Sequence, residues 1–157
     1  MTVTFFGHSS LSKCMNYEKQ LLNFLSENIA DKAAEIYLGD YGDFDNFAYT
    51  CCKKYKETHP RVTLCFITPY LTLSYQRNHL KFQQHRYDEI IYPPLESIPT
   101  KFAIVHRNRW MIEKADILIC AVKRKQGNAY KLYQYAKRLE KPIFNLARDE
   151  LSLYGDV

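Results

Sequence analysis

The sequence has no long hydrophobic run, no CxxC pair and no concentrated block of one charge. Its longest uninterrupted apolar stretch, from Ile117 to Val122, is six residues long, whereas a membrane-spanning helix needs roughly 20. The first charged side chain is Lys13, and the N-terminus therefore lacks the basic start of a signal peptide. We expect neither a membrane span nor a signal peptide, and no contact with a membrane.

The cysteines do not have the spacing of a metal or disulfide framework. There are five: Cys14, Cys51, Cys52, Cys65 and Cys120. The adjacent pair Cys51 and Cys52 cannot surround a metal tetrahedrally without partners from elsewhere. Cys65 and Cys120 lie inside apolar runs, where cysteine acts as a small hydrophobic residue. The sequence therefore predicts a reduced, cytoplasmic protein with no metal site and no resident cofactor.

Composition indicates one compact domain covering residues 1–157. Of these residues 46% are hydrophobic, which is too apolar for a disordered chain, and 22 Lys and Arg against 17 Asp and Glu give a net charge of +5. This excess is mild and is not gathered into a basic arm or stripe. A small phosphate-bearing ligand would suit it as well as DNA would.

Short apolar runs alternate with amphipathic stretches of helical length, which is typical of an α/β sheet with helical crossovers. We predict a Rossmann-like three-layer αβα sandwich with a mainly parallel central sheet. The predicted strands are Val3 to Phe6, Glu35 to Leu38, Val62 to Thr68, Glu89 to Tyr92, Ile117 to Val122 and Ile143 to Leu146. The predicted helices are Tyr17 to Ile29, Phe44 to Glu57, Pro99 to Ala115 and Asn128 to Leu139. Residues 69–88 show no strong periodicity and are interpreted as a long loop, with at most an irregular helix.

Ligands of open parallel sheets bind outside the carboxyl ends of the strands, and four loops there carry unusual residues. They are Gly7 to Ser10, Gly39 to Asp45, Thr68 to Tyr70 and Lys123 to Asn128. Their glycines and small hydroxyl residues permit close approach of the backbone to a ligand. Gly7 to Ser10 fits either a phosphate or sugar contact or an ordinary turn in which a serine caps the next helix.

Three carboxylates follow the second strand within six residues: Asp40, Asp43 and Asp45. They could orient a ribose hydroxyl, act as a general base, or cap the helix that starts near Phe44. Asp43 has the best position for a cap. Asp45 would lie in the first helical turn and face the carboxyl ends of the strands.

Two later segments are also candidates for anion binding. Asn108 lies on the apolar stripe of its helix between Arg107 and Arg109, where its amide needs hydrogen-bond partners. The group either fixes a neighbouring loop or reaches a ligand, for which arginine suits phosphate or carboxylate. The basic loop Lys123 to Asn128 leads directly into a helix, and its charges fit either a phosphate site or solvated surface.

In order along the chain, these residues resemble the SLOG family of Rossmann-like domains, which are related to DprA and to the LOG phosphoribohydrolases. The similarity extends almost end to end. It rests on the following segments: Phe5-Phe6-Gly7-His8, Tyr37-Leu38-Gly39 with Gly42 and Phe44-Asp45, Tyr92-Pro93-Pro94 with Phe102-Ala103-Ile104, Arg107-Asn108-Arg109-Trp110-Met111-Ile112, Gly127 to Ala129 and Ala136-Lys137-Arg138. The small stand-alone bacterial and phage members are the most similar.

The resemblance implies that a nucleotide or nucleotide-derived molecule binds at the carboxyl edge of the sheet. With the loops, it gives the predicted ligand site: Gly7, His8, Ser9, Gly39, Tyr41, Gly42, Asp45, Arg107, Asn108, Arg109, Lys123, Gly127 and Asn128. LOG enzymes carry a catalytic glutamate just after their glycine-rich loop. The corresponding helix start here, residues 128–132, has no acid, which leaves Asp45 as the catalytic candidate if the protein is an enzyme.

Three functions therefore stay open. The first is a sensor or sequestering protein for a signalling nucleotide or an ADP-ribose-like molecule. The second is a nucleotide N-glycosidase or phosphoribohydrolase that uses Asp45. The third is binding of single-stranded DNA, since 13 tyrosines and nine phenylalanines are present, although most of them lie in predicted strands and helix stripes. The resemblance also implies a homo-oligomer.

Overall fold

A computed structural model describes residues 1–8 and 16–154 of the chain. The strands are β1 Thr2–Gly7, β2 Ala34–Leu38, β3 Val62–Ile67, β4 Glu89–Ile91, β5 Ile117–Ala121 and β6 Ile143–Asn145. The helices are α1 Asn16–Asn28, α2 Asp43–Thr58, α3 Leu73–Tyr75, α4 Lys81–Gln83, α5 Ala103–Lys114, α6 Asn128–Arg138 and α7 Arg148–Tyr154. A π-helical turn, Gln76–Leu80, joins α3 to α4, and a 3₁₀ turn, Thr100–Phe102, precedes α5.

The six strands form one parallel sheet in the order β4-β3-β2-β1-β5-β6. The chain builds outward from β1 to β4 on one side, then returns through α5 and continues on the other side with β5 and β6. The order therefore reverses between β1 and β5. A crevice for ligands opens at such a reversal, outside the carboxyl ends of the two strands.

Alternate side chains of each strand supply the two faces of the sheet. On one face, residues such as Phe5 and Leu38 pack with Leu21 of α1 and Ala48 of α2. On the other face, two clusters form: Phe6 and Leu118 pack with Ile112, while Tyr37 and Ile67 pack with Met111 of α5. Helices thus cover both faces, which explains the near-continuous apolar character of the strands.

The predicted fold class is confirmed: the protein is an α/β sandwich with an all-parallel sheet. Each predicted strand and each of the four predicted helices is present, with ends that shift by a few residues. Residues 73–83 form a continuous helical segment that includes a π-helical turn, where a long loop with at most an irregular helix was expected. The helix α7, which follows β6, was not predicted.

The N-cap of α2 is not the residue that the sequence suggested. The prediction that Asp43 caps α2 is wrong, because Gly42 is the N-cap and Asp43 is the first helical residue.

Cys51, Cys52, Cys65 and Cys120 are buried free thiols within the core. Among the described residues, no helix combines the length and apolar character that crossing a bilayer requires.

Candidate functional site

A cavity of about 470 Å³ lies outside the carboxyl ends of β1 and β5, at the reversal of strand order. We call it the crest cavity. Its walls come from residues 5–8 at the end of β1, Tyr41 and Asp45 around the start of α2, residues 104–111 of α5, and residues 124–135 of the β5–α6 loop and α6. The volume is within the range of pockets that enclose small ligands and cofactors.

Arg107 is the most deeply buried charged group in the cavity wall. It is 2% exposed. Its Nη1 donates a hydrogen bond to the Ile67 carbonyl at 2.9 Å, and its Nε donates to Asn108 Oδ1 at 3.0 Å. No carboxylate of the described chain comes within 4.0 Å of this guanidinium. The guanidinium is therefore held by neutral oxygen atoms, while the charges of Asp45 and Asp40 act on it from beyond 4.0 Å. An anion in the cavity would pair with this buried cation directly.

Asp45 is the one carboxylate of residues 1–8 and 16–154 that lines the cavity. It lies in the first turn of α2, and one of its oxygens accepts a hydrogen bond from the Tyr41 amide at 2.8 Å. Burial raises the pKa of Asp45 to about 6, while that hydrogen bond and the charge of Arg107 act in the opposite direction. Near neutral pH the carboxyl is therefore close to its titration range, as a general base requires.

Gly39 allows the two charged groups to lie side by side. A Cβ atom at this position would be 3.1 Å from Arg107 Nη1, from Arg107 Nη2 and from Asp45 Oδ2. These distances are shorter than ordinary van der Waals contact. The absence of a side chain at residue 39 therefore keeps the space around the guanidinium and the carboxylate open.

The two helices that point at the cavity begin in the same way. Gly42, the N-cap of α2, has φ 94° and ψ 178°, and Gly127, the N-cap of α6, has φ 89° and ψ 178°. This region of backbone conformation is essentially restricted to glycine. Neither cap offers a side chain to the first-turn amides. In α6 those amides lie beside Asn128 and Ala129 in the cavity wall, where the positive end of the helix dipole favours an anion.

His8 connects β1 to the basic loop after β5. Its Nε2 accepts a hydrogen bond from the Lys123 amide at 3.2 Å, and the side chain is buried. Burial lowers the pKa of His8, and Arg124 and Lys123 lower it further. The ring is therefore neutral at pH 7 and carries its proton on Nδ1, which fixes the position of the loop that leads into α6.

Basic side chains dominate the cavity. Among the described residues, Arg107, Arg109, Arg124 and Lys131 line it, against one lining carboxylate, Asp45. The last three cations are exposed, so they can move toward a ligand, whereas Arg107 is fixed. The cavity is thus suited to a ligand with more than one negative charge.

Aromatic rings occupy two parts of the rim. The Tyr41 side chain is 68% exposed and lines the cavity next to Asp45. Tyr135 lies on the opposite wall, where the Arg109 guanidinium is 5.4 Å from the centre of its ring and its hydroxyl donates to Glu113. An exposed tyrosine beside a cationic cavity is a stacking surface for a planar ring.

Most of the predicted site residues of the described chain come together in the wall of this cavity. They are Gly7, His8, Tyr41, Asp45, Arg107, Asn108, Arg109, Gly127 and Asn128. Gly39, Gly42 and Lys123 are not lining residues, but each contacts or precedes one: Gly39 lies beside Arg107 and Asp45, Gly42 caps α2, and the Lys123 amide donates to His8. Ser9 is outside the described residues. Gly7 also has a packing role, because a Cβ there would be 2.6 Å from the ring of Phe44.

Sequence reasoning missed three lining residues that complete the site: Arg124, Lys131 and Tyr135. Arg124 belongs to the predicted basic loop, but the sequence did not distinguish it from Lys123. Lys131 and Tyr135 are four residues apart on α6, a spacing that places them on one helix face. That spacing is the signal that could have identified them.

A second polar cluster lies beyond the cavity, between β2 and the helical segment 73–83. Asp40 accepts hydrogen bonds from Gln83 Nε2 at 2.9 Å and from His79 Nε2. His79 lies in the π-helical turn and stacks on Tyr75, with ring centres 4.7 Å apart. The cluster attaches this segment to the end of β2, so Asp40 has a structural partner that the sequence did not suggest.

Within residues 1–8 and 16–154, no cluster of three or more His, Cys, Asp or Glu side chains is arranged to hold a metal ion. No protein-family model matches the chain, and a search of curated proteins found no relative. Membership of the SLOG family therefore stays a prediction from the residues quoted above.

Proposed function

We propose that the crest cavity binds a nucleotide or a nucleotide-derived molecule, such as an ADP-ribose-like signal, and that the protein acts as its sensor or sequestering protein. The observation that carries this proposal is Arg107. A guanidinium that is 2% exposed, held by two hydrogen bonds and without a carboxylate of the described chain within 4.0 Å, is ready for a bound anion.

The remaining parts of the site support a phosphate-bearing ligand. The first turn of α6 borders the same cavity as Arg107, and the exposed Arg124 and Lys131 side chains can contact further oxygens. Asp45 is suited to accept hydrogen bonds from ribose hydroxyls. Tyr41 offers its exposed ring to a base. Each chemical part of a nucleotide thus has a matching group.

The experiment is a thermal-shift titration against mono-, di- and cyclic nucleotides, ADP-ribose derivatives and NAD, with native mass spectrometry of the recovered ligand. A ligand at 100 times its dissociation constant stabilises the fold by about 2.7 kcal/mol, which raises the melting temperature by several degrees. Recovery of the intact ligand supports a sensor or sequestering protein. A panel without any shift contradicts the proposal.

Matched lysine variants show whether the ligand is in this cavity. Lys131 lines the cavity and Lys137 does not, yet both are exposed on α6. Lys131→Ala should weaken binding about five- to tenfold, the effect of one charge-assisted contact, whereas Lys137→Ala should leave it unchanged. Equal effects would place the ligand elsewhere.

One observation favours a second candidate, N-glycosidic cleavage. The Asp45 carboxyl has its pKa raised to about 6 inside the ligand cavity, and ionised Asp45 could activate water or stabilise an oxocarbenium-like sugar. Turnover should then increase as the pH rises through about 6, and Asp45→Asn should release no free base while still binding the nucleotide. Cleavage that survives this substitution would exclude Asp45 as the catalytic group.

A further inference from the structure

A second pocket of about 310 Å³ lies next to the crest cavity on the outer side of α5. We call it the side pocket. Its inner wall comes from His106, Trp110 and Glu113 of α5, and its outer wall comes from Pro94, Leu95 and Ile98 in the β4–α5 connection. The spacing 106, 110 and 113 puts these three side chains on one face of the helix.

Two of the residues that the structure describes border both spaces. Arg109 and Tyr135 line the crest cavity and also line the side pocket. The Arg109 guanidinium lies over the Tyr135 ring, 5.4 Å from its centre, and both side chains are partly or fully exposed. The boundary between the two spaces therefore includes this pair of surface side chains, across which a two-ring ligand would have to extend.

The lining of the side pocket differs from that of the crest cavity. Trp110 is partly exposed, and Tyr37 stacks on its ring with centres 5.7 Å apart and planes 8° apart, which holds the indole in place. Proline, leucine and isoleucine supply apolar contacts on the other wall. The polar groups are the carboxylate of Glu113 and the imidazole of His106, which can bond the edge of a ring. Flat apolar walls with hydrogen-bonding groups at the rim fit a planar heterocycle.

We infer that the side pocket is a second ring-binding subsite, and that the preferred ligand carries two planar rings joined through a phosphate-bearing linker, as a dinucleotide does. The inference rests on the proposed function, since the phosphate linker would bind at Arg107 in the crest cavity. One ring would lie near Tyr41 and the other against Trp110, with Arg109 and Tyr135 beneath the connection. A mononucleotide would fill the crest cavity alone.

ADP-ribose and NAD form a matched pair of probes, because NAD carries one additional planar ring. NAD should bind the full-length protein between about fivefold and a hundredfold more tightly than ADP-ribose, the range expected for one stacked ring. Trp110 is the single tryptophan of the chain, so its fluorescence reports on this subsite directly. NAD should quench it, and ADP-ribose should bind without comparable quenching.

Two variants test the location of the second ring. Ile98→Trp should fill the side pocket and reduce NAD affinity to that of ADP-ribose. Trp110→Leu should have the same effect on NAD, and both variants should leave ADP-ribose affinity within about twofold of the wild-type value. Ile98 is in a partly exposed connection, so its variant keeps the test valid if Trp110→Leu fails to fold.

The outcomes separate this inference from the proposed function. Equal affinities for ADP-ribose and NAD without quenching would overturn the second subsite and leave nucleotide binding in place. An NAD preference that survives both variants would also overturn it, because the additional ring would then lie elsewhere. Failure of both probes to bind overturns the inference as well, while the wider nucleotide panel still decides the proposed function.

Discussion

Asp45 is expected to destabilise the fold whenever it is ionised. Its pKa rises from an ordinary 3.8 to about 6 on folding, and burial is the first cause. At pH values between about 4 and 6 the folded state therefore binds more protons than the unfolded state. Unfolding free energy then falls as the pH rises from about 4 to 6 and stays lower above that range. Asp45→Asn should therefore stabilise the protein at pH 7.5, by up to about 3 kcal/mol.

Urea unfolding at pH 7.5 and at pH 3.5 checks this prediction. The gain from Asp45→Asn should nearly disappear at the lower pH, because the carboxyl is then mostly protonated in both states. Asp43→Asn is a useful comparison, since Asp43 is an exposed carboxylate in the same helical turn. A stabilising effect of Asp45→Asn that does not depend on pH would contradict the proposed burial of charge.

Gly39 is expected to tolerate no side chain without a loss of ligand binding. The added Cβ of Gly39→Ala would be 3.1 Å from both Nη atoms of Arg107 and from Asp45 Oδ2, so these groups would have to move by a few tenths of an ångström. If Arg107 and Asp45 bind the ligand, their displacement should reduce the affinity at least about tenfold. Isothermal titration with the best nucleotide of the panel measures the effect, and unchanged affinity would show that neither group contacts the ligand.

At the level of single residues, the sequence predicted which residues belong to the site better than it predicted their burial and hydrogen-bond partners. Asp45 was expected in the first turn of α2 facing the strand ends, and it lies there. The burial of Arg107 was not predictable, because arginine is usually exposed and the carbonyl that anchors it, Ile67, lies forty residues away in the chain. Only the folded chain brings these two groups into contact.

At the level of elements, the paired glycine caps of α2 and α6 lead to a prediction about stability. A Cβ at Gly127 would contact nothing within 4 Å, and the backbone φ is +89°. Gly127→Ala should therefore destabilise the protein through backbone strain alone, by about 1–3 kcal/mol. Chemical denaturation measures this loss, and the neighbouring exposed Gln126→Ala should change stability by less than about 0.5 kcal/mol.

The same variant can separate strain from ligand contact. If Gly127→Ala keeps its fold, the first turn of α6 must rotate to relieve the strain, and affinity for a phosphate-bearing ligand should fall. A variant with wild-type stability would show that residue 127 adopts another backbone conformation in solution. That result would contradict the α6 geometry from which the anion site is argued.

The elements with strong hydrophobic patterns were predicted with their type, whereas residues 73–83 were expected only as a loop with at most an irregular helix, and α7 was missed. The strands are continuous apolar runs, and α1 and α6 carry apolar residues at helical spacing. Residues 73–83 contain a π-helical turn, which widens the helix and changes the spacing on which helix recognition depends. The seven-residue α7 is too short to display a period.

The N-cap of α2 was predicted at the wrong residue because aspartate is a common N-cap. Gly42 adopts a backbone conformation that aspartate avoids.

At the level of the whole molecule, the fold class followed from the alternation of strands and helices, but the strand order did not. The connection from β4 to β5 resembles the earlier ones in length and pattern, yet it carries the chain across the sheet to the far side of β1. The sequence contains no local signal for that crossing. It arises because α5 buries Met111 and Ile112 against the opposite face of the sheet from α1 and α2.

This strand order predicts how the fold depends on chain length. β1 pairs with β2 on one side and with β5 on the other, over five residue pairs from Val3 to Gly7. A chain that ends at residue 116 lacks β5, so it should show no cooperative thermal unfolding. A chain that ends at residue 147 keeps all six strands and should unfold cooperatively, and two similar transitions would contradict this dependence.

The position of β1 also has a consequence for synthesis in the cell. About 110 residues separate Gly7 from Ile117, and translation at about 5–20 residues per second needs roughly 5–20 seconds to make them. Throughout that interval one edge of the central strand has no partner and can pair with another nascent chain. Expression with fewer ribosomes per message lowers the number of neighbouring nascent chains and should therefore increase the fraction of protein recovered in the supernatant.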